Sequence, residues 1–283
     1  MNICYENDLI NFYTIVEPLL LDREAENNLP LGILERMKES RGKRDCDLIY
    51  IQENDQTTFM SMRTPPHLWI LPSLEHAHPS HIKTFAQFLF DGKYDVPGVI
   101  GNRISVQGFL NEWEDLTKQT AELQMEQGIH RLDRLKPIPE QLGELVLADS
   151  SHQGFLEEWI KQYGVEIGEP SVGDRVSELT TELIETQRLH LWVIEGIPVS
   201  MASQARSTKN GATINAVYTP NEFKRKGYAS QVVWHLTKKL LGQGYNFCSL
   251  YTDLANPTSN SIYKKIGYER ISDSVVYQFS TQG

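Results

Sequence analysis

The sequence predicts a mixed α/β protein of two domains, and three observations predict it. RLKPIPEQLGE, residues 134–144, sets two prolines and a glycine between patterned segments and marks a seam. Downstream, short β-branched and aromatic runs alternate with segments of helical period in the order β-α-α-β-β-β-α-β-α-β. Upstream, a comparable run of strands, helix and strand reads as a diverged copy of the second half. The expected domains are therefore 1–137 and 138–283, a comfortable division for 283 residues.

Each element of the second half has its own warrant. ELVLAD (144–149) reads as a strand and is followed by a helix from about Gln153 to Tyr163. SVGDRVSELTTELIETQR (171–188) repeats Val176, Leu179, Leu183 and Ile184 at helical spacing. LHLWVIEG, PVSMASQA and ATINAVY, separated by turn residues, read as an antiparallel meander. A helix over about 227–241 carries Ala229, Val232, Leu236 and Leu240 on one face, and Gly242 and Gly244 stop it. The strand YNFCSLYT (245–252), a short helix over 257–266 and a closing pair of strands from Tyr268 to Phe279 complete the half.

In the first half, the N-terminal 28 residues read as one amphipathic helix, with no basic leader and no spanning segment. CDLIYIQEND (46–55) and TTFMSMRTPPHLWIL (57–71) read as paired strands, HIKTFAQFLFDG (81–92) and SVQGFLNEWEDLTKQ (105–119) as helices, and AELQMEQGIHRL (121–132) as a strand.

Composition excludes several functions. A net charge of −10 does not suit a nucleic-acid surface, which needs a basic face, and it favours a cationic or amine substrate through steering. Cys4, Cys46 and Cys248 have no metal-ligand spacing and leave an odd thiol, as expected of reduced cysteines in the cytoplasm.

Against that acidity, KRKGYAS is conspicuous: Lys224, Arg225 and Lys226 stand where a helix begins, although a helix N-terminus already carries partial positive charge. An anion held by the first helical N–H groups accounts for them; a solvated charge run at a turn is the plain alternative. Gly227 lets backbone approach a ligand, and Ala229 and Ser230 keep the first turn open. Neither a Walker loop nor a G-x-G-x-x-G fingerprint is present. A second constellation follows in DLANPTSNSIYKKIGY: Asn256 is placed to cap a short helix, Pro257 to open it and Gly267 to end it.

Together VYTPNEFKRKGYAS and NPTSNSIYKKIGY resemble the two signature blocks of the GNAT superfamily of acetyl-CoA-dependent N-acetyltransferases, and the element order from 144 to 279 is similar to that fold. The resemblance covers the second half. It implies acetyl transfer from acetyl-CoA to a primary amine of a small molecule, by direct attack in a ternary complex, without a metal. The protein would be a monomer or homodimer with no nucleic-acid or membrane partner. In such proteins the pantetheine arm lies along the central strand, here Ala216, Val217 and Tyr218. The diphosphate lies on the loop and first turn, here Lys224, Arg225, Lys226, Gly227, Tyr228, Ala229 and Ser230. Asn256 and Ser259 fall at further cofactor positions, and Tyr263 matches the proton donor to the leaving thiolate. The family commonly has Gln or Arg at the first loop position; Lys224 keeps the charge without the planar fork.

The strand glutamate that serves as base in some members is replaced by Tyr251. Asp253, two residues on and on the same face, is a candidate base and equally a turn residue. That gap leaves open a non-catalytic acyl-CoA-binding or sensing protein. LPSLEHAHPSH in the first half could not form the same amide cradle, so that copy is expected to be non-catalytic. His76, His78 and His81 have no cysteine or paired carboxylate to complete a zinc site, and Asp149, Ser151 and His152 lie too close in sequence to set a hydrolase triad.

Overall fold

The computed structural model describes residues 1–40, 45–75 and 78–280. The chain forms two compact units, one comprising Met1–Ile129 with the segment from Ile271 onward, the other His130–Arg270.

In the first unit the order is β1 (Asn2–Tyr5), α1 (Leu9–Leu21), α2 (Asn28–Ser40), β2 (Asp47–Glu53), β3 (Gln56–Arg63), β4 (Trp69–Leu71), α3 (Pro79–Asp91), β5 (Gly98–Asn102), α4 (Arg103–Thr117) and β6 (Ala121–Leu132). Strands β1 to β4 pair antiparallel in sequence order, and β4 pairs parallel with β5. The far edge of β5 is taken by β12 (Glu269–Phe279), antiparallel with Ser274–Gln278 opposite Asn102–Gly98. Both faces of this sheet are covered. Ile49, Ile51, Phe59 and Trp69 meet α3 and α4, while Leu48, Met60, Met62 and Ile70 meet α1 and α2. Burial on both faces turns the strands into nearly continuous apolar runs.

The N-terminal 28 residues differ from the single helix expected. Asp8 accepts from the amides of Ile10 and Asn11 and so starts α1 late, which leaves Asn2–Tyr5 to pair with β2.

The second unit repeats the pattern with β7 (Glu144–Leu147), α5 (Gln153–Glu166), α6 (Val176–Glu185), β8 (Leu189–Ile194), β9 (Ile197–Ser207), β10 (Gly211–Tyr218), α7 (Tyr228–Gly242), β11 (Phe247–Asp253) and α8 (Pro257–Ile266). The sheet order is β7-β8-β9-β10-β11 with β6 beside β11; β7 to β10 pair antiparallel in that order, and β10 pairs parallel with β11. At that end the Arg131 guanidinium lies 4.2 Å from the centre of the Phe247 ring. The expected closing pair of strands is one strand, β12, and it belongs to the first unit.

α7 is tied to β8 through a buried histidine. His190 Nδ1 donates to the Arg188 carbonyl at 3.2 Å, and its Nε2 accepts from Lys239 Nζ at 2.8 Å. Burial, and then the neighbouring ammonium, lower its pKa from 6.5 to about 4. The unfolded chain therefore binds the proton first as pH falls. Stability held above pH 6.5 should drain away toward about pH 4, by up to ~3 kcal/mol. His190→Gln retains an acceptor and removes the titration. Denaturant midpoints of the second unit measured from pH 7 to 4 should fall less steeply in this variant than in the wild type.

Candidate functional site

β10 and β11 share a parallel ladder only from Gly211 opposite Phe247 to Ile214 opposite Leu250. Beyond it β10 continues to Tyr218 and β11 to Asp253 without pairing, so the strands part. The cause lies in β10. Between Asn215 and Tyr218 its register against β9 slips by one residue, and Ala216 adopts φ +46°, a torsion uncommon outside glycine and costing of order 1 kcal/mol or more. The bulge swings Ala216, Val217 and Tyr218 off the ladder. Ser200 Oγ, donating to the Tyr218 carbonyl at 3.0 Å, then fixes the strand end.

After Pro220 a single 3₁₀ turn, Asn221–Phe223, leads into the basic loop. Arg225 at φ +65° and Gly227 at φ +86° are both left-handed, and alternating torsions of this kind turn successive N–H groups to one side. No carbonyl or side chain among the described residues accepts from the amides of Arg225, Lys226, Gly227, Tyr228 or Ala229; the first helical bond runs from Ser230 to the Gly227 carbonyl. Five donors thus converge at the start of a fifteen-residue helix. The three cations divide. Lys224 is ion-paired with Glu166 on α5 and lies 5.9 Å from the Tyr218 ring, whereas Arg225 and Lys226 have no acidic partner among the described residues. The knot is therefore two cations without an acidic partner, one of them, Lys226, 5.6 Å from the centre of the Phe223 ring, plus one strut.

α8 places the second group. Asn256 Oδ1 accepts from the Ser259 amide at 3.1 Å, so the cap expected from sequence forms. Asp253 Oδ1 accepts from the Ala255 amide at 2.8 Å and its carbonyl from the Asn256 amide at 3.0 Å, which is the turn role. Asn260 stitches the turn from inside: its Oδ1 accepts from Thr252 Oγ1 at 2.6 Å, and its Nδ2 donates to the Asp253 and Asn256 carbonyls.

The Tyr263 ring is buried and edge-on to Tyr268, with centroids 6.1 Å apart. Tyr268 spends its hydroxyl on Thr237 Oγ1 at 2.8 Å, whereas the Tyr263 hydroxyl has no hydrogen-bond partner among the described residues and is not among the enclosed orphan atoms. Burial, and then the phenol of Tyr163, push the Tyr263 phenol above its ordinary pKa. Tyr163, from α5, is itself pushed up to about 12 by burial and is partly offset by a hydrogen bond with the backbone of Ala216. Sequence reading missed it: one aromatic in an amphipathic helix carries no local sign that it reaches the strand bulge.

The other candidates resolve structurally. Asp149 Oδ1 accepts from Ser151 Oγ at 2.6 Å and from the Ser151 amide at 2.9 Å, while His152 Nδ1 accepts from the Asp149 amide at 3.1 Å, a capping box on the 3₁₀ turn Ser150–His152 that leads into α5. His76 lies outside the described residues; His78 caps α3, and no group of metal-ligating side chains forms among the described residues.

In the first unit the segment that follows β4 is tied down by a side chain. Asn27 bonds both backbone groups of Ser73, Nδ2 to the carbonyl at 2.9 Å and Oδ1 from the amide at 2.8 Å. The first turn of α3 has Pro79 without an N–H, and the Ser80 amide is capped by His78.

Comparisons agree with this geometry. Residues 193–277 match the family model described as FR47-like protein. No curated protein matches the chain. Among solved structures, a GCN5-related N-acetyltransferase from Sphaerobacter thermophilus is similar at 13% identity and TM-score 0.65, covering 98% of this chain and 95% of that one. A GNAT-family acetyltransferase from Colwellia psychrerythraea aligns at 13% identity and TM-score 0.59 over 99% of each chain. A tandem GNAT protein from the clavulanic acid biosynthesis pathway aligns at 10% identity and TM-score 0.61 over 100% of this chain and 99% of that one. The resemblance read from two motifs in the second half thus extends, as fold, to the whole length.

Proposed function

We propose that this chain, which has the GNAT fold along its whole length, is an acetyl-CoA-dependent N-acetyltransferase acting on a primary amine of a small molecule. One observation carries the reading: five unspent amides, Arg225 to Ala229, gather beside the Arg225 and Lys226 cations at the mouth of the parted strands. A diphosphate suits that array, because it needs many donors and little side-chain bulk. Bound acetyl-CoA supplies an activated thioester, and the second unit does the rest. The loop from Lys224 to Ser230 holds the diphosphate, with Lys224 acting through its ion pair to Glu166. Ala216, Val217 and Tyr218 offer backbone to the pantetheine arm. Asn256 and Ser259 shape the far wall.

The amine nitrogen forms the new bond to the acyl carbon while the carbon–sulfur bond breaks, and the sulfur departs with the electron pair. The Tyr263 hydroxyl donates to that sulfur. The amine's surplus proton leaves through water, since Asp253 already holds the turn and Tyr251 stands where a strand glutamate would serve. No helix among the described residues is long and apolar enough to cross a membrane. With three free thiols, we place the protein in the cytoplasm, as a monomer or homodimer without a nucleic-acid partner or metal.

The rival reading, a non-catalytic acyl-CoA-binding or sensing protein, draws on the same missing glutamate. Calorimetry with coenzyme A tests the site, and acetyl-CoA turnover across an amine panel tests the chemistry. Uptake in the micromolar range with turnover of at least one amine is expected. Uptake without turnover would favour the rival; no uptake ends both.

A further inference from the structure

The segment read from sequence as the seam, residues 134–144, is a strap that reaches the proposed cofactor site. The Lys136 amide donates to the Ile266 carbonyl at the end of α8 at 2.8 Å, and the Lys136 carbonyl accepts from Trp234 Nε1 on α7 at 2.8 Å. One turn nearer the start of α7, the Pro139 carbonyl accepts from the buried Gln231 Nε2 at 2.8 Å. Gly143 then lies against the Trp192 indole, so closely that a β-carbon would stand 2.7 Å from it. These anchors bring Gln141 onto the basic loop, where its Nε2 donates to the Lys226 carbonyl at 3.0 Å.

That hydrogen bond sits at a sensitive place. Lys226 lies between the two left-handed residues, inside the row of five amides, so its carbonyl is an acceptor set among the donors; the Gly227 carbonyl, next along, is already taken by the Ser230 and Gln231 amides. Left free to turn, the carbonyl would present a lone pair to the anion those amides are arranged to hold. Gly227 has a matching steric reason: a β-carbon there would come within 2.7 Å of Gln141 Nε2, in a backbone conformation side chains rarely adopt. Gln141 Nε2 is the movable end of an exposed side chain, so the positive φ is the stronger of the two constraints on Gly227.

We infer that Gln141 is a positioning residue for the diphosphate, holding the Lys226 carbonyl away so that the five amides face the anion together. The inference rests on the acyl-CoA reading above. Losing one neutral hydrogen bond that orders the loop should weaken coenzyme A binding about five-fold. S-acetylpantetheine, which has the arm and no diphosphate, should bind Gln141→Ala and wild type alike.

The test is calorimetry with coenzyme A and ligand-observed NMR with S-acetylpantetheine, on wild type, Gln141→Ala and Gln141→Glu, with melting temperatures alongside. Gln141→Glu keeps the length and turns the donor into a carboxylate, so it should weaken coenzyme A more than Gln141→Ala does. It also stands in if the alanine variant does not fold. The phosphorus NMR shifts of the bound diphosphate should move in both variants. Equal coenzyme A affinity in all three proteins overturns the inference, as does parallel loss of S-acetylpantetheine, which would mean general damage. Wild-type protein that takes up no coenzyme A overturns the acyl-CoA reading first, and this one with it.

Discussion

Tyr263→Phe should lower kcat by about 10- to 100-fold while leaving coenzyme A affinity nearly unchanged. The size follows from the phenol's environment. General-acid catalysis as a whole spans about 10²- to 10⁴-fold, and the upper part of that range requires a proton that moves readily to the departing atom. Burial and the Tyr163 phenol raise the Tyr263 pKa above 10, while an ordinary thiol sits near about 8.5. Full transfer from phenol to thiolate is therefore uphill. A charge-assisted hydrogen bond to the developing thiolate is downhill and worth roughly 1.5–3 kcal/mol, which sets the predicted range.

The same raised pKa keeps the hydroxyl protonated throughout the neutral range. An alkaline limb below about pH 10 should consequently persist in the variant. The ring is buried against Tyr268, and Phe preserves that packing, so folding should not change. Steady-state kinetics with acetyl-CoA and the best amine of the panel, beside coenzyme A calorimetry, provide the check. Unchanged kcat would remove Tyr263 from the chemistry; lost affinity with unchanged kcat would make it a wall of the cofactor site.

The local geometry of the candidate site was legible because its parts are specified by neighbours in sequence. The turn at Pro220, the glycine at 227, the cap at Asn256 and the stop at Gly267 are each specified by residues within a few positions, and each forms where the pattern placed it. What the sequence hid depends on partners far along the chain. Lys224 reads as a phosphate ligand, and its ion pair with Glu166, 58 residues earlier, is announced by no local pattern. Asp253 reads equally as base or turn residue, and the structure adds the turn contact, the Ala255 amide on its Oδ1, which the sequence alone does not rank above the other.

β5 was missed because GVIGN is short and glycine-flanked, as a loop would be. Both glycines answer to close strands instead: a β-carbon on Gly98 would stand 2.1 Å from the Tyr277 carbonyl oxygen, and one on Gly101 would stand 1.8 Å from that of Leu71. Local pattern specified most elements. Which unit receives a strand is a matter of long-range pairing, and the period of two says nothing about it.

Removing the C-terminal segment from Ile271 onward should unfold the first unit, although that unit begins at the opposite end of the chain. β12 closes the edge of β5 through five paired positions and contributes Val275 and Phe279 to the core beneath α3 and α4. Phe279 meets the rings of Phe109 and Trp113 at centroid distances of 6.5 and 6.1 Å, and its amide donates to the Pro97 carbonyl at 2.9 Å. Burying a Val and a Phe is worth roughly 3–6 kcal/mol together, before counting the exposed strand edge. Domains of this size are stable by only about 5–15 kcal/mol in total.

The truncated chain should therefore show limited proteolysis concentrated before residue 130 and a lost or broadened melting transition. The segment His130–Arg270 should resist cleavage, because its core draws on nothing removed. A chain cut between residues 137 and 138 gives the complementary result. Its N-terminal fragment lacks β12 and should be as unstable as the truncation, while mixing it with the C-terminal fragment should restore the fold by returning the strand. Full stability of the N-terminal fragment alone would mean that β5 tolerates an open edge and that β12 is dispensable to the unit it completes.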